Sequence, residues 1–291
     1  MDTAFIPERD YHTDISDKDF RRLSAFIQSQ CGIVLPLAKK TLLETMIQER
    51  MQSVGLYSCK EYIDWVLGAE QPGEELIQFI DIVITRETDF FHEADHFEFM
   101  AQTALPELIK TSGAGISREF MIWSAGCATG EEAYTLAMVL TEFSHHYPGI
   151  QFKAKVLATD FSDRVLTTAT DAIYEMGKVA SISLELKRKY LLKSKDPGKR
   201  LVRVAPELRA MVKFRRLNFL DADFGLREQM DIIFCRHVIS HFDRPTQEKL
   251  INKVCRYLSP GGYLFLGQAE TLHDLAVPLT QVVPTVYRMS H

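Results

Sequence analysis

Residues Phe120–Ala133 read F-M-I-W-S-A-G-C-A-T-G-E-E-A. An apolar run suited to a buried strand breaks at Gly126 into a small-residue turn, which opens a helix on Glu131 and Glu132. Gly and Ala carry nothing that blocks a ligand from lying against bare backbone at a helix N-terminus. Such termini favour anions, yet two carboxylates at the mouth suit a ligand with positive charge, an amine or a sulfonium. Further on, L-A-T-D-F-S-D at 157–163 ends a second strand. It places Asp160 where doubly wound folds put the acid that grips a ribose diol. The two runs together imply a nucleoside-bearing cofactor with a cationic tail, for which S-adenosylmethionine is the natural candidate.

Around this centre the pattern alternates. Strands are expected at 119–124, 152–159, 212–217, 230–235, 262–267 and 282–288, with helices at 93–110, 131–144, 162–170 and 244–258. That alternation predicts an α/β fold, a Rossmann-like parallel sheet with helices on both faces. Pro260-Gly261-Gly262 reads as a tight turn into a buried strand, and 282–288 as an antiparallel return. The first third reads as helices only. One runs from the cap Ser16 to Gly32 with Phe20, Leu23 and Phe26/Ile27 on one face. A second carries Leu42, Leu43, Met46, Ile47 and Met51, a third Tyr62, Trp65 and Val66, and a fourth Leu76, Ile77, Ile80 and Val83. The expected organisation is an all-α domain over 1–75, a linker or cleft segment over 76–95, and a cofactor domain over 96–291.

One segment interrupts the alternation. K-Y-L-L-K and R-L-V-R-V, joined by Asp196-Pro197-Gly198, predict a hairpin in a small β-subdomain inserted at about 187–211. The stretch 187–216 is basic, with Asp196 and Glu207 as its acids. It is read either as a solvated face or as a docking surface for an acidic protein partner. Tyr190 and Phe214 are its only aromatic residues, too few to interleave as a nucleic-acid platform needs. The chain as a whole, at 291 residues, 46% apolar and net charge −5, offers neither nucleic acid nor an anionic membrane a general attraction. No signal peptide or apolar run of spanning length is seen, so a cytoplasmic protein is expected. Cys31, Cys59, Cys127, Cys235 and Cys255 lack paired spacing and are read as reduced and buried.

Six runs in order then resemble a known family. They are I-T-R-E-T-D-F-F-H-E at 84–93, W-S-A-G-C-A-T-G-E-E at 123–132, L-A-T-D at 157–160, R-R-L-N-F-L-D at 215–221, F-C-R-H-V-I-S-H-F-D-R-P-T-Q at 234–247 and S-P-G-G-Y-L-F-L-G at 259–267. The chain resembles, from about Ser16 to Tyr287, the chemotaxis receptor methyltransferases of the CheR type. The resemblance implies methylation of glutamate side chains on chemoreceptor cytoplasmic helices from S-adenosylmethionine, with S-adenosylhomocysteine as product. Recognition of the coiled-coil receptor would use the helical domain and the basic hairpin, and a monomer is expected. It also implies that Thr88 lies in the cofactor cleft and that Ala125 and Glu131 face the methionine moiety. Asp160 with Phe161 would hold the ribose, and Asn218 with Phe219 the adenine. Arg86, His92, His237, Val238 and His241 complete the implied cofactor set.

Several of these positions depart from the family pattern. Arg86 stands at a usual Asn, His92 at a usual Arg near the reacting centre, His237 at a usual Asn and His241 at a usual Tyr; Ala128 and Ala133 are milder changes. A glutamate acceptor, with a reference pKa of about 4.3, is already ionised and needs no base, so catalysis reduces to positioning. His92 is therefore the candidate catalytic residue, a partial stand-in for an arginine that orients the acceptor carboxylate. A second reading remains open, a family member that binds cofactor or receptor and regulates without efficient turnover. His237 and His241, four apart, with His92 across the cleft, would suit zinc on a helix. Their segment follows a strand and lacks a carboxylate-rich motif, so no metal is expected.

Overall fold

The computed structural model describes residues 14–68, 75, 78–80, 83, 88–147, 151–196 and 198–290. The chain divides into two compact units, Met1–Thr85 and Arg86–His291.

In the first unit, α1 (Asp17–Cys31) starts where the Ser16 hydroxyl accepts the Asp19 N–H. It stops at Gly32, whose φ of 78° lets its N–H close on Gln28 O. α2 (Lys40–Val54) ends the same way at Gly55. α3 (Cys59–Gly68) begins after Ser58, which caps the Glu61 N–H. Phe20, Leu23, Ile27, Leu43, Ile47, Met51, Tyr62, Ile63 and Val66 fill the core. Two stripe positions were misjudged: Trp65 is 50% and Leu42 51% exposed, while Ile63 takes the inward place. Of the fourth stripe, Leu76 and Ile77 lie outside the described residues, and Ile80 is buried.

The second unit is built on a seven-stranded sheet. Its strands are β1 (Phe120–Ala125), β2 (Ala154–Asp160), β6 (Val212–Arg216), β7 (Met230–Phe234), β8 (Leu258–Phe265), β9 (Leu279–Val283) and β10 (Val286–Met289). The order is β6-β2-β1-β7-β8-β10-β9, parallel through β8 and antiparallel at β10 and β9. Alternate residues supply two cores. Phe120, Ile122, Ile232, Phe234, Tyr263 and Phe265 face one side, and Trp123, Ala125, Ile233, Cys235 and Leu264 the other. Helices cover both faces, as a parallel sheet requires. They are α4 (Ala94–Phe99), α5 (Leu105–Ser112), α6 (Glu131–His146), α7 (Asp163–Asp171), α8 (Leu184–Tyr190), α9 (Pro206–Met211) and α10 (Arg244–Cys255).

Four expectations about elements change. The 93–110 helix is continuous but widens into a π turn at Met100–Ala104, just before Pro106, whose missing N–H cannot serve the carbonyl four residues back. Pro260-Gly261-Gly262 is no turn between elements: α10 stops at Cys255, and the three residues form an irregularity within β8, where the register against β7 shifts. A Cβ on Gly262 would meet Asp231 O at 2.8 Å and Ser259 O at 2.9 Å, so only glycine fits. The C-terminal return is a hairpin, with β10 inside and β9 at the edge. The inserted subdomain has three strands in the order β3-β5-β4: β3 (Ile173–Glu175), β4 (Leu191–Lys193) and β5 (Leu201–Val204). It therefore draws in chain well before 187, and Lys189-Tyr190 end α8 instead of starting a strand.

Strand order reverses between β1 and β7: the chain moves outward through β2 and β6, then returns to β7. Ligands of open parallel sheets bind at such a switch point, outside the carboxyl ends of the strands. The turns after β1, β2, β6 and β7 all open there.

Candidate functional site

The turn after β1 is stitched to β2 by backbone. Gly126 N and Cys127 N both donate to Thr159 O, at 2.8 and 2.9 Å. Gly126 and Gly130 have φ of 82° and 95°, and Ala128 is held at 46°. The Ala128 strain is sustained because its N–H donates to Asp160 Oδ2 at 2.9 Å, while Ser162 N donates to Oδ1 at 3.1 Å. Asp160 thus locks the turn at the carboxyl end of β2. Ala125 is buried at the strand end, and a Cβ on Gly126 would lie 2.6 Å from Val238 Cγ2. The β1 and β7 turns therefore pack on each other across the switch point.

Glu131 heads α6 and is 2% exposed. Both its carboxylate oxygens accept from the Thr129 hydroxyl, at 2.9 and 2.7 Å, and it makes no ion pair among the described residues. Burial pushes its carboxyl above the usual range, against the lowering effect of Thr129. A buried acid without a counter-ion is what a bound ammonium or sulfonium would compensate, so the residues present fit a cationic cofactor tail. Glu132 is also raised, mainly by burial, with Arg236 and the Ser124 hydroxyl (2.6 Å) opposing.

A second cluster forms where the Phe91–Glu93 loop meets the turn after β7. Arg236 is 6% exposed, with Nε 3.1 Å from Glu93 Oε2 and 3.5 Å from Glu132 Oε2. Its Nη2 donates to His92 O at 2.6 Å, and the guanidinium lies over Phe97 and Phe234. Glu93 feels burial most strongly. His237, the Gln268 N–H and Arg236 together outweigh burial and hold its carboxyl down at about 2. His92 is exposed at the lip, stacked on His237 with ring centres 5.3 Å apart. Glu270 anchors the β7 turn from below, accepting His237 N (2.8 Å), Ser240 N (2.9 Å) and Gly267 N (2.9 Å).

The implied cofactor residues thus gather at the ends of four strands, with one beyond reach: Arg86 lies outside the described residues. Thr88 is half-buried in the entry to the 90s loop. Phe161 follows Asp160 and has the Arg216 guanidinium over its ring at 5.3 Å. Asn218 turns the chain after β6, its Oδ1 accepting Leu220 N, and Phe219 packs edge-on against Phe224. His241 ends a short 3-10 turn, Ile239–His241, so it and His237 do not share an α-helical face. Sequence reasoning named Glu132 only with Glu131 at the helix mouth, and missed Glu93, Arg236 and Glu270. Glu93 and Arg236 stand inside quoted runs, each beside a histidine that was singled out, and that adjacency was the available signal.

A family model described as the CheR methyltransferase SAM binding domain matches residues 86–287, and one described as the CheR methyltransferase all-alpha domain matches 18–83. The chain is 35% identical over 275 residues to the chemotaxis protein methyltransferase of Borreliella burgdorferi, covering 94% of this chain and 95% of that one. It is 33% and 34% identical to those of Salmonella typhimurium and Escherichia coli, each over 99% of this chain and 96% of the relative. A solved structure, PKMT2 from Rickettsia typhi in complex with AdoHcy, matches with a TM-score of 0.35 and 17% identity over 62% of this chain and 26% of that one. The chain belongs to the CheR family of S-adenosylmethionine-dependent chemotaxis methyltransferases.

Proposed function

We propose that this enzyme methylates glutamate side chains on the cytoplasmic helices of chemoreceptors. The observation that carries the reading is the meeting, at one end of the sheet, of a buried acid without an ion-pair partner and a lip where His92 stands exposed. Glu131 and Asp160 offer two carboxylates on neighbouring turns, while Arg236, His237 and His92 gather across from them. Bound S-adenosylmethionine supplies a methyl group already activated on a sulfonium. Glu131 would neutralise its aminoacyl end and Asp160 would hold the ribose. Phe161, Asn218 and Phe219 would enclose the base, and Ala125 and Val238 would shape the floor. Thr88 would border the same cleft. The acceptor carboxylate is ionised near neutrality, so the protein has no proton to remove. Its work is to aim that carboxylate and exclude water, which proximity alone can make worth about 7–11 kcal/mol. His92, exposed beside Arg236, orients the acceptor as it arrives. The helical unit and the basic three-stranded subdomain would contact the receptor. No described helix is long and apolar enough to cross a membrane, which agrees with an enzyme acting on the cytoplasmic side.

The test is transfer of labelled methyl from S-adenosylmethionine to receptor-containing membranes, followed by mild alkali. Release of volatile methanol identifies carboxyl methyl esters and is the expected result. Label that resists alkali would move the acceptor to another side chain. No transfer, with cofactor binding intact, would overturn the receptor as substrate.

A further inference from the structure

We propose that His92, Glu93 and His237 form a binding site for a borderline divalent cation of the zinc class. One ligand atom from each residue can be chosen so that all lie within 4.8 Å of one another. Two ligands held at zinc distances of about 2.0–2.1 Å in tetrahedral array stand roughly 3.3 Å apart. His237 Nε2 and Glu93 Oε1 are already 3.2 Å apart. The third ligand, His92, stands exposed on the same cluster, stacked on His237 with its Nδ1 3.5 Å from Arg236 Nη2, so it closes the remaining gap by exchanging that guanidinium for the cation.

The pair falls short of good hydrogen-bond geometry, although His237 still helps to hold the Glu93 carboxyl down. His237 Nε2 is buried, and despite its closeness to the carboxylate it has no hydrogen-bond partner; it stands off axis. Glu93 Oε2 is turned the other way, 3.1 Å from Arg236 Nε and 3.4 Å from His96 Nδ1. An unpaired buried nitrogen is costly, and a cation between His237 Nε2 and Glu93 Oε1 would satisfy it. The surroundings also hold the ligands in place, as outer groups do at metal centres. Gln268 N donates to Glu93 Oε1 at 3.0 Å, Glu270 fixes the His237 backbone, and His96 stands 3.4 Å from Glu93 while bonded to Thr285 Oγ1. Both Glu93 and His237 sit in the left-handed backbone region, with φ of 56° and 59°, a strain that persists where the fold must aim a side chain.

Two imidazoles and one carboxylate, with further positions open, select zinc, nickel or copper over calcium or magnesium. Arg236 lies against Glu93 Oε2, and its charge weakens the site, so the cation is exchangeable, not permanently resident. The site replaces the one first considered: Glu93 takes the place of His241. Occupancy would engage the His92 ring and pin the Phe91–Glu93 loop to the β7 turn, withdrawing the lip from the acceptor.

The experiment is calorimetric titration of the chelator-treated full chain with zinc chloride, with cobalt(II) absorption as a second probe of the same site. One cation per chain is expected, with visible cobalt bands of four- or five-coordinate intensity. His92→Ala, an exposed change, and His237→Asn should each weaken binding at least tenfold, while a His145→Ala/His146→Ala variant keeps it. Absence of binding, or binding unchanged in His92→Ala and His237→Asn, would overturn the proposal. Loss only in the His145/His146 variant would do the same by assigning the cation to the end of α6. None of these readouts depends on the acceptor, so they stand apart from the methylation test.

Discussion

Glu131 couples cofactor binding to protonation. Empty, the buried carboxyl holds its proton above the usual glutamate range; a cationic ligand requires it ionised. Affinity for S-adenosylhomocysteine, which keeps the aminoacyl ammonium, should therefore rise with pH through that titration, above the ordinary glutamate range, and then level off. Glu131→Gln removes the charge but keeps an acceptor for Thr129. It should bind the product about tenfold to a hundredfold more weakly, with no such rise. Because ionising a buried acid destabilises the fold as pH increases, the same variant should melt slightly higher without ligand at neutral pH. Calorimetric titration and thermal melts on both proteins check the two halves, and a pH-dependent variant would show that another group sets the profile. Glu131 and Asp160 were legible because each belongs to a short run with its own strand and turn. The cluster around Arg236 was not, since its contact with His92 spans 144 positions of chain.

Between elements, the ends of β1 and β7 remote from the site are tied by one ion pair. Asp231 is fully buried, accepts both Arg118 Nη1 (2.8 Å) and Met121 N (2.9 Å) at Oδ2, and meets Arg118 Nη2 through Oδ1. Removing the acid leaves a strand N–H and the part-exposed arginine without their partner, a loss of about 1–3 kcal/mol. Asp231→Ala should lower the melting temperature by roughly 5 °C in calorimetry, at about 2–4 °C per kcal/mol, while the folded protein binds S-adenosylhomocysteine as before. Gly126→Ala should do the opposite. Its Cβ would collide with Val238 at a φ of 82°, so the strain falls on the turn itself and affinity drops more than stability. A variant that melted much earlier with unchanged affinity would place the turn outside the cofactor site. Alternating strands and helices made the sheet readable, because each long element declares its own period. β3, three residues long, has no period to read, and the Pro260–Gly262 irregularity looks like any turn until β7 lies beside it.

At the scale of the molecule, charge is unevenly placed. The chain carries −5, yet 187–216 gathers twelve Lys and Arg against Asp196 and Glu207. Much of that excess is spent within the fold. Lys189 pairs with Glu142 and Glu185, Arg203 donates to Asp171 O, Arg215 to Phe224 O, and Arg216 to Phe161 O. Lys193, Lys195, Lys199 and Arg200 are exposed around the β4–β5 connection and make no ion pair among the described residues. The strand-end arginines are thus structural, whereas the charges at the hairpin tip stand in solvent, where the proposed receptor contact would use them. An acidic receptor segment docking there would gain mainly in encounter rate, with each rim charge worth at most about 1 kcal/mol. Lys195→Glu/Lys199→Glu should therefore lower kcat/KM for receptor methylation about five- to tenfold at low ionic strength, through KM. The gap from the unaltered enzyme should narrow as salt screens the contact over its Debye length of about 8 Å at 0.15 M. Affinity for S-adenosylhomocysteine should not move, since both lysines are exposed on the connection of a separate three-stranded sheet and belong to none of the strand ends that build the pocket. Equal loss at all salt concentrations would instead mean that the substitutions disturb the subdomain, and an unchanged rate would return these four charges to the solvent.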